Sequence, residues 1–275
     1  MRTDAGSDLL ATITAGARQA TRVRERARPY ADLAAAARRR TPRGDLFRAA
    51  LSGGRAPRVI AECKRRSPSR GVLRRVYDPA AIAASYEAAG AAAVSVLTEP
   101  TFFDGDLEHL RAARARVSLP LLRKDFVVSA YQVLEAREAG ADATLLIAGA
   151  LEGAALAELV ACAAEQGLAA LVEVHEAGEL ERALAAGATI VGVNSRNLRT
   201  LDVNLNVARR LAPLLPAGVI GVAESGLKSR EDIEELGGLG YRAFLIGERF
   251  MTAADPGEAL AAFLGVAKGP ARGRA

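Results

Sequence analysis

The stretch Ala139-Gly140-Ala141-Asp142-Ala143-Thr144-Leu145-Leu146-Ile147-Ala148 joins two kinds of structure. Gly140 stands where a helix end favours glycine, and an apolar run of strand length follows within a few residues. The same join recurs. Ala89-Gly90-Ala91 precedes the run at 92–97, Ala186-Gly187-Ala188 precedes 189–194, and Leu239-Gly240-Tyr241 precedes 242–247. Further β-branched or apolar runs lie at 58–63, 119–124, 169–174 and 218–224. Between runs, segments such as 152–165 and 176–186 are rich in Ala, Leu and Glu at helical spacing. Their starts are spaced by about the length of a strand, a loop and a crossover helix. Near-continuous apolar strands alternating with helices predict a parallel sheet covered on its outer face, in the α/β class. Eight units fit a closed (β/α)8 TIM barrel of about 250 residues. An open doubly wound sheet is the rival, but it would carry a glycine-rich loop after its first strand. Lys64-Arg65-Arg66-Ser67-Pro68-Ser69 is not one.

Outward from the barrel, residues 1–45 read as an N-terminal helical extension. Leu9, Leu10, Ile13 and Ala17 recur at helical spacing within 8–40, and Thr41-Pro42 stops the pattern. The barrel is expected over 46–268, with a disordered, solvated tail at 269–275.

Composition narrows the function. A net charge of +5 permits an anionic ligand. Aromatics at 4% and scattered arginines exclude the aromatic–basic interleaving of a nucleic-acid binder. Cys63 and Cys162 make neither a disulfide framework nor a metal motif, and two histidines, His109 and His175, exclude a His-rich zinc site. No uncharged apolar run approaches the roughly 18 residues of a membrane span, and no apolar leader opens the chain. A cytoplasmic protein is expected. His109 and His175 read as surface or capping residues, since neither lies within a strand.

Of 37 cationic side chains only Lys64, Lys124, Lys228 and Lys268 are lysine. Two of these close apolar runs. A lysine can exchange a proton at accessible pH and an arginine effectively cannot, so both hint at proton chemistry. In a barrel of this kind the chemistry sits at the C-terminal strand ends. Those ends hold Glu62 and Lys64, Thr98-Glu99, Lys124, Glu173, Asn194 with Arg196, Glu224 with Ser225, and Gly247-Glu248. Side chains alternate along a strand, so Glu62 and Lys64 share a face, as do Asn194 and Arg196. The result is a cup of mixed charge, suited to an anionic ligand that needs proton transfers. A structural ion-pair network is the plainer alternative. Gly226 and Gly247 stand where loops after the seventh and eighth strands bind phosphate. Ser67-Pro68-Ser69-Arg70-Gly71 suits a mobile loop closing on an anion.

Ile60-Ala61-Glu62-Cys63-Lys64-Arg65-Arg66-Ser67-Pro68-Ser69-Arg70-Gly71 closely resembles the first-strand signature of the indole-3-glycerol phosphate synthases. Ser95-Val96-Leu97-Thr98-Glu99, Leu122-Arg123-Lys124-Asp125-Phe126, Val191 to Leu198 and Ala223-Glu224-Ser225-Gly226 extend the resemblance from about residue 8 to about 264. It implies a (β/α)8 barrel without cofactor or metal. The reaction implied is ring closure, decarboxylation and dehydration of 1-(2-carboxyphenylamino)-1-deoxyribulose 5-phosphate. By the same resemblance Lys124 is the principal general acid, and Lys64 holds the substrate carboxylate and serves the departing hydroxyl. The division of steps between the two lysines stays open. Glu173 is the base for dehydration. Glu62 and Asn194 orient the lysines and substrate hydroxyls, and Ser225 lines the site. Arg196 faces the substrate carboxylate, Phe126 sandwiches the anthranilate ring, and Ser67, Gly226, Gly247 and the Glu248 backbone embrace the phosphate. The Glu248 carboxylate is expected to turn away from that phosphate. The partner expected is this small sugar phosphate, with no nucleic acid or membrane. A monomer or weak homodimer is expected, with association with other tryptophan-pathway enzymes in view. A Schiff-base lyase using Lys124 or Lys64, and a non-catalytic phosphate-binding barrel, are the competing readings.

Overall fold

Alternation along each apolar run decides what it buries. In Ala169–Val174, Val172 and Val174 face the surrounding helices while Leu171 and Glu173 face the other way. Eight runs of this type make strands β1 (Arg58–Cys63), β2 (Ala93–Leu97), β3 (Leu121–Lys124), β4 (Ala143–Ile147), β5 (Ala169–Val174), β6 (Ile190–Asn194), β7 (Ile220–Glu224) and β8 (Ala243–Ile246). In the computed structural model, which describes residues 8–53 and 57–266, these strands close into one parallel barrel. β1 pairs with β8 on one side and β2 on the other, which completes the ring.

Two apolar layers follow. Between strands and outer helices lie Val94, Val96, Val172, Val191, Val193 and the helix residues Leu110, Leu156 and Leu236. Inside the barrel lie Ile60, Leu122, Leu145, Leu171, Ile190, Val222 and Leu245. Each fully buried aliphatic side chain contributes about 1.5–3 kcal/mol relative to exposure. Glycines with positive φ, among them Gly90, Gly140, Gly187 and Gly240, sit at the predicted helix ends ahead of strands.

The N-terminal segment is not one helix. Pro29 divides it into α1 (Leu9–Ala27) and α2 (Tyr30–Arg38), because a proline has no amide hydrogen to continue the ladder. A third helix, α3 (Gly44–Ser52), spans the expected 45/46 boundary. Together they strap the barrel. Leu10 and Ile13 of α1 join the interior cluster beside Phe126 and Ile147 at the C-terminal mouth. Leu33 and Ala37 of α2 pack on Tyr131 and Leu134 at the side. Phe47 and Leu51 of α3 enter the interior cluster from below, where the Gly44 amide donates to the Gly167 carbonyl at 3.1 Å. Residues 1–7 and the tail expected at 269–275 lie outside the described residues. No helix among the described residues is long and apolar enough to cross a membrane.

Ion pairs rivet the strap. Arg24 donates to both oxygens of Glu135 at 2.6 and 3.0 Å. Arg43 grips both oxygens of buried Asp142 at 2.9 and 3.0 Å, and Asp142 also accepts from Arg114 at 2.9 Å and the Leu121 amide at 2.8 Å. Truncating that carboxylate strands two cations and an amide. Asp142→Ala should therefore lose about 2–4 kcal/mol, the lower side of the range for breaking a buried pair because Arg43 is partly exposed. The denaturant midpoint measures this; a loss within about 0.5 kcal/mol, the scale of ordinary surface changes, would make the pair incidental.

Candidate active site

At the C-terminal mouth, strand ends distant in sequence bring their polar residues together around a cavity of about 1090 Å³. Lys124, the last residue of β3, extends its ammonium between two carboxyls: Glu173 Oε2 of β5 at 2.9 Å and Glu224 Oε2 of β7 at 3.5 Å. Asn194, the last residue of β6, donates from Nδ2 to Glu173 Oε1 at 3.0 Å and accepts the Arg196 amide on Oδ1 at 2.9 Å. On β1, Glu62 Oε1 lies 2.5 Å from the Lys64 ammonium.

Burial and charge split these groups. Burial works against the Lys124 charge, but Glu173, Glu224 and Glu62 outweigh it and hold the ammonium above the usual lysine range. Burial also works against the Glu173 charge. Lys124 and the Asn194 amide outweigh it there, so Glu173 stays ionised below the ordinary carboxylate range. Glu224 ends differently: burial, only partly offset by Lys124 and reinforced by the Glu173 charge, pushes its carboxyl up to about 8. The two carboxyls are thus driven apart, Glu173 toward the ionised form and Glu224 toward the protonated one. Gly192, on β6 between them, makes the arrangement fit, because a Cβ there would overlap Glu224 Oε1.

The opposite rim gathers backbone and small side chains. Buried Ser67 lies in a two-stranded hairpin, Arg66–Ser67 against Gly71–Val72, rather than in an open loop. After β7, Ser225 (φ 63°) and Gly226 (φ 77°) turn the chain sharply in left-handed conformation. That conformation is costly for serine, and such strain concentrates at working sites. Gly226 is needed on a second count, since a Cβ would come within 2.8 Å of Val203. Gly247 passes so close to Glu62 that a side chain would collide with it. Phe126 is buried at the mouth, its ring 6.3 Å from that of Phe103.

Glu62, Lys64, Ser67, Lys124, Phe126, Glu173, Asn194, Arg196, Ser225, Gly226, Gly247 and Glu248 all line this one cavity, whereas Thr98 and Glu99 do not: the Thr98 hydroxyl donates to Asp125 and Glu99 caps a short helix. Three side chains differ from expectation. The Glu248 carboxylate does not turn away; it bridges Arg70 at 3.0 Å and Arg196 at 3.3 Å. Arg196 is accordingly engaged, also donating to the Leu201 carbonyl at 3.1 Å. His175, expected as a surface or capping residue, is half-buried, and its Nδ1 lies 2.8 Å from the Asn194 carbonyl, pinning the strand that presents the amide to Glu173. Glu224 was legible as a strand-end carboxylate, yet the sequence reading left it out of the site. The overlooked signal is its inward parity beside a strand glycine.

A family model described as "Indole-3-glycerol phosphate synthase" matches residues 10–263. The indole-3-glycerol phosphate synthase of Parafrankia sp. is 52% identical over 249 residues, 90% of this chain and 91% of that protein. That of Laribacter hongkongensis is 47% identical over 260 residues, 93% of this chain and 98% of that protein. The crystal structure of KGPDC from Streptococcus mutans matches with a TM-score of 0.59 over 76% of this chain and 96% of that chain. At 13% identity it speaks for the barrel alone.

Carbon-13 titration of the glutamate carboxyls tests the split. One resonance should titrate near 8 and vanish in Glu224→Gln. If every glutamate titrates in the ordinary range of about 4–5, the two carboxyls are not driven apart.

Proposed function

This chain belongs to the indole-3-glycerol phosphate synthase family, and we propose that it converts 1-(2-carboxyphenylamino)-1-deoxyribulose 5-phosphate to indole-3-glycerol phosphate by acid–base chemistry of Lys124, Lys64 and Glu173. It is a carbon–carbon lyase that releases carbon dioxide and water.

The chemistry sets the requirements. The ring carbon bearing the carboxylate attacks the ketone carbon, and negative charge develops on the carbonyl oxygen. A proton must arrive as that bond forms. The carbon–carboxylate bond then breaks, carbon dioxide leaves, and its electron pair restores aromaticity. Last, the new hydroxyl departs as water with one added proton, while the neighbouring carbon gives one up.

The observation that carries the reading is a charged lysine held between a low and a high carboxyl at the mouth of the barrel. Carboxyls with pKa values driven apart divide acid from base work. Lys124 protonates the carbonyl oxygen, and Glu173, ionised and oriented by Asn194, takes the proton in dehydration. Lys64, oriented by Glu62, meets the substrate carboxylate and then the departing hydroxyl. Phe126 packs on the anthranilate ring, and Arg196 pairs with the carboxylate. Ser67 with the backbone at Gly226, Gly247 and Glu248 holds the phosphate, and Ser225 lines the reacting centre. Fixing both anionic ends places the reacting carbons in contact geometry, which can contribute several kcal/mol. A Schiff-base mechanism needs a neutral amine, and the Glu173 carboxylate beside Lys124, which favours the charged ammonium, works against it. A soluble anionic substrate accords with a cytoplasmic enzyme.

Lys124→Ala should lower kcat by about 10²–10⁴-fold with unchanged circular dichroism, read by the fluorescence of the indole product. Lys124→Arg should not restore it, because arginine keeps the charge and withholds the proton. Near-normal turnover in either variant defeats the assignment. Glu224 loses its proton as pH rises through about 8, which sets a second negative charge beside Glu173. Hence kcat/KM should fall across that pH, and Glu224→Gln should lack that limb; a flat wild-type profile there would count against the proton on Glu224.

A further inference from the structure

One carboxylate at the mouth, that of Glu248, has no part in the proposed chemistry. The Glu248 carboxylate accepts from Arg70 Nε at 3.0 Å and from Arg196 Nη2 at 3.3 Å. Arg70 stands on the turn of the hairpin that holds Ser67, and Arg196 follows β6, so one side chain ties together opposite sides of the cavity. The third arginine lining that cavity, Arg249, is turned toward the Lys228 carbonyl. Two of the three lysines lining the cavity are matched, Lys64 to Glu62 and Lys124 to Glu173 and Glu224, while exposed Lys228 makes no ion pair among the described residues. An incoming phosphate therefore finds two of the mouth's three guanidinium groups held by a carboxylate of the protein itself.

We propose that Glu248 is a built-in competitor for the phosphate of the substrate: the phosphate binds by displacing the Glu248 carboxylate from Arg70, which also releases Arg196 to the substrate carboxylate. The inference rests on the sugar-phosphate reading above. Two anions cannot share the same guanidinium faces, so apparent affinity is reduced by the fraction of time that those faces are occupied. A substrate with a second anchor, the carboxylate and aromatic ring, still binds. Inorganic phosphate has only the one. The device thus discriminates against small anions by a repulsive element rather than by added attraction. Arg70 is 66% exposed and Glu248 32%, so each pair is weak and the penalty is a modest factor.

Phosphorus-31 titration at constant ionic strength tests this with inorganic phosphate as the probe, on wild type, Glu248→Gln, Arg70→Gln and the double variant. Glu248→Gln should bind phosphate about three- to tenfold tighter, and the gain should disappear when Arg70→Gln is also present, as a coupled pair requires. Glu248→Ser should reproduce the gain. Equal affinity in wild type and Glu248→Gln overturns the proposal. So does a gain of the same size without Arg70, which would mean diffuse repulsion, and so does an absence of phosphate binding in all four proteins. The titration needs no turnover. Indole formation by a wild type that shows no phosphate gain on substitution sinks only this inference, whereas the gain without indole formation sinks only the functional reading.

Discussion

A lysine ammonium held out of bulk water between two buried carboxyls is the constraint on which the rest of the molecule depends. In a low-dielectric mouth such charges attract far more strongly than in water, and each is costly if its partner is removed. Lys124, Glu173 and Glu224 come from three strands, so the ammonium meets both carboxyls only when the barrel is closed and in register. The register supplies the alignment: Glu173 lies opposite Gly192, and Asn194 opposite Glu224. His175, Asn194 and Gly192 then serve one end, the placement of two oxygens around one nitrogen.

The outward face of β3 carries a second charged network that supports the first. Arg123 is 1% exposed and meets Asp125 at 2.8 Å and Glu135 at 3.3 Å. Asp125 accepts the Phe126 amide at 2.8 Å and the Thr98 hydroxyl at 2.5 Å, fixing the turn that follows Lys124. Glu135 in turn receives Arg24 from α1. A continuous chain of partners therefore runs from the N-terminal strap, through the wall of the barrel, to the ring that lines the cavity. Adjacent residues of one strand serve different purposes: Arg123 braces, and Lys124 faces the reacting space.

Local pattern made the barrel legible. Glycines at helix ends, apolar runs of strand length and their spacing needed only nearest-neighbour chemistry, as did the inward parity of Glu62, Lys64, Glu173 and Asn194. Where the sequence misled, the decisive partner was remote. Glu224 became part of the site through Lys124 and Glu173, which lie far back in the chain. Glu248 was judged against a phosphate alone, and its two arginine partners were invisible until the hairpin and β6 met across the mouth. His175 lies just past a strand, and its carbonyl partner belongs to the next strand. The break at Pro29 was printed in the sequence, yet the amphipathic pattern on both sides masked it.

The strap also bears on how the chain comes into being. Its helices leave the ribosome before the barrel, but Arg24 waits for Glu135 and Arg43 for Asp142, 111 and 99 residues later. At about 5–20 residues per second, that delay lasts on the order of 5–20 s. During it, Leu10, Ile13, Phe47 and Leu51 have only part of their later barrel partners, because Leu145, Leu171, Ile190 and Val222 are still to be made. A segment made before the barrel thus finds its place only after much of the barrel exists.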